Sequence, residues 1–281
     1  MPGVGRIGVL YQAHRPESVA LADWLSDALR AQGATVWRGD VLDEPALREA
    51  APQLELLITL GGDGTIVRAV RASALAGLPV LGVNLGRLGF LAEIDPEQLE
   101  PALPRLLAGT FNVERRLLLH VEVLRGQTVL LAAEAVNEVV VSRGRVSRTV
   151  RVSVEADGRH IMTPTADGVI VSTPTGSTAY GLSAGGPIVS PELDCLAITP
   201  VAPHLGHSHS FVLPGRCQVT LALVRGEEAT VTIDGQLDLD LAPGDRVCAT
   251  ASAHQARFVR LGGDGYFYDT VLRKLGWPDP A

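Results

Sequence analysis

Five residues, Gly61-Gly62-Asp63-Gly64-Thr65, carry the clearest chemistry in this 281-residue chain. They follow an apolar run, Leu54–Leu60, and precede a helical pattern, Ile66–Ala76. Glycines at a strand-to-helix junction let a phosphate approach backbone N–H groups, and the helix N-terminus beyond them adds partial positive charge. That charge is worth roughly 0.3–1 kcal/mol to an anion at an exposed site. An aspartate inside such a cradle is electrostatically unwelcome unless it works. It can hold a metal ion or take a proton from an attacking hydroxyl. The alternative is a tight turn in which Asp63 caps the helix, since aspartate is a good N-cap.

A second constellation starts at Asp167-Gly168 and crosses a short apolar strand, Val169–Val171. It then runs through Ser172-Thr173-Pro174-Thr175-Gly176-Ser177-Thr178-Ala179-Tyr180 and Gly181-Leu182-Ser183-Ala184-Gly185-Gly186-Pro187. So many small hydroxyl residues and glycines make a poor core but a good polar binding loop. The hydroxyls supply hydrogen bonds, and Tyr180 offers a flat face to a base or a nicotinamide ring. An elaborate surface loop is the plainer alternative.

A third feature is Asn137-Glu138, inside the otherwise apolar run Leu130–Val141. A carboxylate beside an amide in Val-rich sequence costs free energy unless each group has a partner, and vicinal ribose hydroxyls are suitable donors. A solvent-facing edge pair is the alternative. The string Gly262-Gly263-Asp264-Gly265 repeats the first motif, but Tyr266 follows it instead of a helix-opening Thr, so it reads as a structural turn. His204, His207 and His209 have a spacing that could hold a transition metal. Surface or interface histidines are the simpler assignment, and no protein metal site is assigned.

The single lysine, Lys274, lies near the C-terminus. Neither a Walker loop, which needs GxxxxGK[ST], nor a protein-kinase strand lysine can be built here. Any phosphate chemistry must use glycine loops, arginines or a metal.

The elements that must position these residues change character along the chain. Arg6–Tyr11, Thr35–Trp37, Leu54–Leu60 and Leu78–Val83 read as strands. Helical patterns at Pro16–Gln32, Ile66–Ala76 and Pro96–Leu107 alternate with them, which predicts a parallel sheet with helices on both faces. Beyond that point the runs are strand-like: Arg115–Leu124, Thr128–Ser142, Thr149–Ala156, Arg159–Met162, Val169–Ser172, Gln218–Val224, Glu228–Ile233, Asp245–Ser252 and Ala256–Leu261. Asp157-Gly158 is a type I′ hairpin signal. The second half therefore reads as a β-sandwich, closed by a helical pattern at Tyr266–Trp277. The predicted fold class is an α/β N-terminal domain with a parallel sheet plus an all-β sandwich C-terminal domain. The boundaries are 1–110 for a nucleotide-binding domain, 111–255 for the sandwich, and 256–281 for a segment that packs back on the first domain.

Composition limits the partners. The hydrophobic fraction is 46% and the charged fraction 20%, which suits a globular chain. A formal net charge of −7 does not invite nucleic acid or an anionic membrane. No apolar run of ~18 residues predicts a membrane span, and Met1–Leu10 lacks the pattern of a signal peptide. Cys195, Cys217 and Cys248 form no CxxC and cannot all pair, which favours a reducing compartment.

Taken together, these motifs resemble the NAD kinase family over most of the chain. GGDGT, the Asn-Glu pair, the DG…STPTGSTAY…LSAGGPI block and Asp234-Gly235-Gln236 stand in the family's order and approximate spacing. Val83–Leu91 and Leu272–Trp277 also look like family segments. GGDGT alone is shared with diacylglycerol and sphingosine kinases and with phosphofructokinases, whereas TPTGSTAY with SAGGP is far more specific.

The resemblance implies transfer of the ATP γ-phosphate, with polyphosphate as a possible donor, to the adenosine ribose 2′-hydroxyl of NAD, giving NADP. NAD would lie between the two domains. Asp63 is implied as the general base, with Gly61, Gly62, Gly64 and Thr65 around the phosphates and Arg68 facing bound phosphate. Asn137 and Glu138 would bind nucleotide hydroxyls, Arg148 the pyrophosphate or ribose, and Asp167 the nicotinamide carboxamide end. Thr175, Thr178, Ala179, Tyr180, Gly181, Leu182 and Ser183 would line the adenosine and ribose pocket, with Ala202 and Gln236 adding contacts. Thr165 replaces a residue that is often basic in relatives, which leaves the choice between NAD and NADH open. A divalent metal, most simply Mg²⁺, would bridge the ATP phosphates. A cytoplasmic homodimer or homotetramer is implied. A GGDGT-type lipid kinase and a non-catalytic NAD-binding sensor are the competing readings. The first lacks a basic amphipathic face, and the second has no use for Asp63.

Overall fold

The computed structural model describes residues 3–86, 89–144, 149–204, 209–226, 229–262 and 266–276. The chain divides into two compact units, Met1–Arg116 with Gln255–Ala281, and Leu117–His254.

In the first unit the elements run β1 (Arg6–Tyr11), α1 (Pro16–Ala31), β2 (Thr35–Asp40), α2 (Glu44–Ala50), β3 (Leu56–Gly61), α3 (Asp63–Ser73), β4 (Val80–Asn84) and α4 (Leu99–Leu107). The strands lie in the order β4-β3-β1-β2, and every pairing is parallel. Parallel strands need crossovers, and right-handed crossovers running in opposite directions from β1 put helices on opposite faces. Leu25 and Leu29 of α1 and Leu103 and Leu106 of α4 share one buried cluster with Ile7, Val9, Ile58 and Leu60. β3 is buried along its whole length, as a central parallel strand must be.

Helix α2 has no counterpart in the periodicity, being only seven residues long. Its signal is local: the Asp43 side chain accepts the Ala46 N–H at 3.1 Å, and Pro45 sits in the first turn. Helix α3 starts at Asp63, three residues before the apolar pattern begins.

The second unit carries β5 (Asn112–Arg125) from Leu117 onward, β6 (Thr128–Ala135), β7 (Glu138–Arg143), β8 (Val150–Ala156), β9 (Arg159–Met162), β10 (Thr165–Ala166) and β11 (Gly168–Ser172). There follow a short helix α5 (Tyr180–Ser183), β12 (Cys195–Val201), β13 (Phe211–Pro214), β14 (Val219–Arg225), β15 (Ala229–Ile233), β16 (Leu237–Leu241) and β17 (Arg246–Arg260). One antiparallel sheet has the order β13-β12-β11-β7-β15-β16, and the other holds β10-β8-β14-β17. Alternation fills the space between them. Val139, Val141, Val169 and Val171 of one sheet share a buried cluster with Val152, Val154, Leu221 and Leu223 of the other.

Two expected strands differ in a useful way. Thr128–Ser142 is two strands, broken at Val136-Asn137, and the two runs Asp245–Ser252 and Ala256–Leu261 are one, β17. Up to His254, β17 belongs to the second unit; the rest belongs to the first, where Phe258 pairs with Val80 and α6 (Tyr266–Leu275) follows. Among the described residues no helix is long and apolar enough to cross a membrane.

Candidate functional site

In the first unit, Gly62 is the N-cap of α3 with an extended backbone (φ −92°, ψ −175°), and Asp63 is the first helical residue. Asp63 does not cap the helix. Its Oδ2 accepts the Phe90 N–H at 2.7 Å and its Oδ1 accepts the Leu91 N–H at 3.2 Å. Each carboxylate oxygen keeps a second lone pair for another donor. Gly89 lies so close that a Cβ there would collide with the Asp63 carboxylate. A Cβ added at Gly62 or Gly64 would meet no atom within 4 Å, so both glycines border open space. Gly61 differs: its Cβ would run into the side chain of buried Thr65.

Arg68 is already engaged. Its Nη1 donates to Glu44 Oε1 of α2 at 3.0 Å, and Arg71 Nη2 reaches the same oxygen at 2.7 Å. Glu44 thus ties α2 to α3. About a quarter of the Arg68 side chain stays accessible, so any phosphate contact would compete with Glu44.

In the second unit, Asn137 stands at the break between β6 and β7, and Glu138 is the first residue of β7. Asp234 makes that break. Its Oδ2 accepts the Val136 N–H at 3.0 Å, and its Oδ1 accepts the N–H groups of Asn137 at 2.8 Å and Glu138 at 3.3 Å. Asp234 occupies the left-handed region (φ 52°), as does Gly235 (φ 64°), and the Gln236 N–H closes the turn on Ile233 O at 3.0 Å. This is a type I′ hairpin turn, which requires positive φ at both central residues. Asp157-Gly158 forms the same kind of turn (φ 49° and 73°).

Glu138 is not an edge residue. It is 6% exposed, on β7 between β11 and β15. Burial pushes its carboxyl up to about 8, with the Asp234 charge adding to the rise and the Tyr180 backbone N–H opposing it. Its Oε2 has no hydrogen-bond partner among the described residues. A buried carboxyl oxygen without a donor costs free energy, and a ligand hydroxyl would relieve it.

The hydroxyl-rich loop uses its own hydroxyls. Thr173 Oγ1 donates to Val136 O at 2.7 Å and accepts the Gly176 N–H at 3.0 Å. Ser177 Oγ donates to Pro174 O at 2.6 Å and accepts the Val189 N–H at 3.0 Å, and Thr178 Oγ1 donates to Thr175 O at 3.0 Å. Thr175 is buried. Gly176 packs so tightly on Asn137 that a Cβ would strike its carbonyl. The Thr173 N–H also donates to Asn137 O at 2.9 Å, so the Asn137 backbone is gripped on both sides. Tyr180 is 43% exposed, beside Ala179, buried Gly181, half-buried Leu182 and exposed Ser183.

Asp167, Ala202 and Thr165 lie elsewhere. Arg143 Nε pairs with Asp167 Oδ1 at 2.9 Å, the Asp167 N–H donates to Val201 O at 2.9 Å, and the His204 N–H donates to Thr165 O at 2.9 Å. Ala202 has a positive φ of 44°. Glu138 and Asp167 therefore stand at opposite ends of the β7–β11 strand pair, in which Ser172 pairs with Glu138 and Gly168 with Ser142. Six residue steps at ~3.3 Å separate Asp167 from Thr173, roughly 20 Å. Arg148 and His207 lie outside the described residues. Among the described residues no group of three or more His, Cys, Asp or Glu side chains is arranged to hold a metal.

Reading the sequence for chemistry gave no role to two groups that lie inside segments carrying the resemblance. One is Asp234, whose local signal is the Asp-Gly turn dipeptide. The other is the Gly89-Phe90-Leu91 backbone that holds Asp63 through its amides.

Comparisons with known proteins fit this arrangement. Residues 15–111 match the ATP-NAD kinase N-terminal domain and residues 136–261 the ATP-NAD kinase C-terminal domain. An NAD kinase of Heliobacterium modesticaldum is 40% identical over 276 residues, covering 95% of this chain and 97% of the relative. A crystal structure of yeast NADH kinase complexed with NADH has a TM-score of 0.88 at 22% identity, covering 99% of this chain and 89% of that one, a likeness of fold. An NAD kinase from Archaeoglobus fulgidus in complex with ATP has a TM-score of 0.73 at 26% identity, covering 94% and 96%. The matched segments take in the Gly61–Thr65 loop, the Asn137-Glu138 break and the Asp234 turn in a single order, and the chain belongs to the NAD kinase family.

Proposed function

We propose that the protein is an NAD kinase that transfers the γ-phosphate of ATP to the adenosine ribose 2′-hydroxyl of NAD, with Asp63 as general base. One observation carries the assignment of the base. Asp63 stands behind two glycines that border open space, and two backbone N–H groups hold its carboxylate while a lone pair on each oxygen stays available. A ribose hydroxyl is a weak nucleophile, so the carboxylate need only orient it and accept its proton late, as the phosphorus–oxygen bond forms. Positioning supplies much of the rate.

On this reading Gly61, Gly62, Gly64 and Thr65 form the phosphate side, with the N-terminus of α3 adding favourable potential. Asn137 and Glu138 take nucleotide hydroxyls, supported by the unpartnered buried Oε2 of Glu138. Tyr180, with residues 175 and 178–183, lines the adenosine side. Asp167, Thr165 and Ala202 serve the other end of the dinucleotide, with Arg148 and Gln236 contributing. A divalent metal such as Mg²⁺, brought in with ATP, would supply neutralisation of the charge that builds on the phosphates during transfer.

A homodimer or homotetramer is proposed, supported by the exposed apolar side chains of Phe211 and Val212 on the edge strand β13. A cytoplasmic location is proposed, supported by three free cysteines, Cys195, Cys217 and Cys248. No nucleic-acid or membrane partner is proposed, in keeping with the net charge of −7.

The test is product analysis with NAD, ATP and Mg²⁺, followed by an NADP-specific coupled assay. Expected is NADP from the wild type, and from Asp63→Asn retained NAD affinity with most turnover lost. Binding of NAD without NADP formation would return the sensor reading. Near-wild-type turnover of Asp63→Asn would remove the base.

A further inference from the structure

Tyr266 opens α6, and the scheme above gives it no part. Its hydroxyl donates to the Ala92 carbonyl and lies 3.4 Å from the Phe90 carbonyl. The Phe90 carbonyl and the Leu91 N–H belong to one peptide unit. That unit is planar and trans, so its two polar ends point in opposite directions. The Leu91 N–H is one of the two donors on Asp63, at 3.2 Å. The phenol therefore stands at the back of the same peptide that faces the Asp63 carboxylate in front.

Neighbouring groups make this hold firm. Arg260 Nη1 donates to the Leu91 carbonyl at 3.3 Å and to Glu93 Oε2 at 3.0 Å, and its Nε donates to Glu114 Oε2 at 2.7 Å. Its guanidinium lies 4.4 Å from the centre of the Tyr266 ring. Burial pushes the Tyr266 phenol up, so it stays protonated and remains a donor at neutral pH. Beyond Ala92 the segment is zipped to β4, with the Glu93 N–H on Gly82 O and the Asn84 N–H on Ile94 O, both at 2.9 Å. Residues 89–92 lie outside any strand and take their hold from Tyr266 and Arg260 behind and Asp63 in front.

We propose that Tyr266 is a positioning residue for phosphoryl transfer, fixing the Phe90–Leu91 peptide that aims the Asp63 carboxylate. The proposal rests on Asp63 being the base. It links α6 to the aim of the base through a backbone peptide.

Tyr266→Phe tests it, because the ring stays under Arg260 and one oxygen is lost. The expected result is a drop in kcat on the order of 10-fold, below the ~100-fold that a 1 Å misplacement can cost. KM for NAD and ATP stays within about twofold, since uniform binding is untouched. Amide hydrogen exchange at Phe90 and Leu91 speeds up, while exchange in β3 and β4 does not change. In an Asp63→Asn background the same substitution has little further effect on turnover, because no carboxylate is left to aim. Placing 3-fluorotyrosine at position 266 keeps the donor and the fold, and turnover stays at wild-type level. Unchanged kcat in Tyr266→Phe, unaltered exchange at residues 90 and 91, or an equal proportional loss in the Asp63→Asn background overturns the proposal. A lowered thermal midpoint with unchanged kcat also overturns it, since that is a merely structural role. If Asp63→Asn is itself fully active, the base reading fails first. If Asp63→Asn is dead and Tyr266→Phe is silent, only the role of Tyr266 falls.

Discussion

Asp234 acts on Glu138 in two opposed ways: its Oδ1 accepts the Glu138 backbone N–H at 3.3 Å, while its charge adds to the burial that pushes the Glu138 carboxyl up to about 8. The unfolded carboxyl titrates near its ordinary 4.5. Between those values the folded protein holds a proton that the unfolded chain has released. This contribution to stability is fully present below about 4.5, falls at up to ~1.4 kcal/mol per pH unit, and is gone above about 8. Glu138→Gln cannot ionise, so it is expected to gain on the wild type by a few kcal/mol as pH rises from ~5 to ~8. Urea midpoints of the ligand-free proteins across that range check it, and parallel profiles would contradict it.

Removing only the charge of Asp234 separates its two roles. Asparagine tolerates the left-handed backbone found there. Asp234→Asn keeps one acceptor oxygen but turns an NH₂ toward a backbone N–H, at a cost of about 1–3 kcal/mol. Without the charge, the Glu138 carboxyl moves back toward its ordinary range. Asp234→Asn is therefore expected to be less stable than the wild type at pH 5, with a deficit that narrows toward pH 8. A deficit independent of pH would show that the Asp234 charge does not reach Glu138.

The close approach of Gly89 to Asp63 makes a steric prediction. A methyl group there must displace the carboxylate or the loop that holds it. Gly89→Ala is expected to fold, because its neighbours lie outside regular strands, and to lose roughly 100-fold in turnover, as ~1 Å misplacements can. Steady-state kinetics beside a thermal melt would decide. Wild-type kcat in a folded variant would mean that the carboxylate position is not limiting.

The parts of this protein that periodicity describes were legible from the sequence. Arg6–Tyr11 forms where a short apolar run places it, buried on both faces, and Pro16–Ala31 forms where helical spacing places it, burying one apolar face. The Thr128–Ser142 run misleads for a physical reason. Apolar sequence continues through Val136, but the Asp234 carboxylate takes three successive backbone N–H groups there and ends the pairing. That competition comes from a residue about 100 positions away, and no local pattern encodes it. The GGDGT loop gave Asp63 its place, yet not its partners, since Phe90 and Leu91 offer backbone amides that any residue would carry. The hydroxyls of Thr173, Ser177 and Thr178 were visible as polar groups, but composition does not say whether a hydroxyl faces a ligand or its own loop.

Glycines in the two halves of the proposed machinery should respond to a methyl group in opposite ways. At Gly176 the added Cβ would strike the Asn137 carbonyl, so Gly176→Ala must open the grip of Thr173 on Asn137. It is expected to lower stability by about 1–3 kcal/mol, as overpacking does. At Gly64 the added Cβ meets nothing within 4 Å, and the residue lies inside the first turn of α3. Alanine is favoured over glycine in a helix by up to ~1 kcal/mol, so Gly64→Ala is expected to melt at or above the wild-type temperature. Its turnover is nonetheless expected to fall, with KM for ATP rising, because the methyl occupies space that a phosphate needs. Stability gained where activity is lost marks a position kept open for a ligand and not for the fold. Thermal melts and ATP titrations of the two variants check the contrast, and a Gly64→Ala protein with wild-type kinetics would remove the phosphate from this loop.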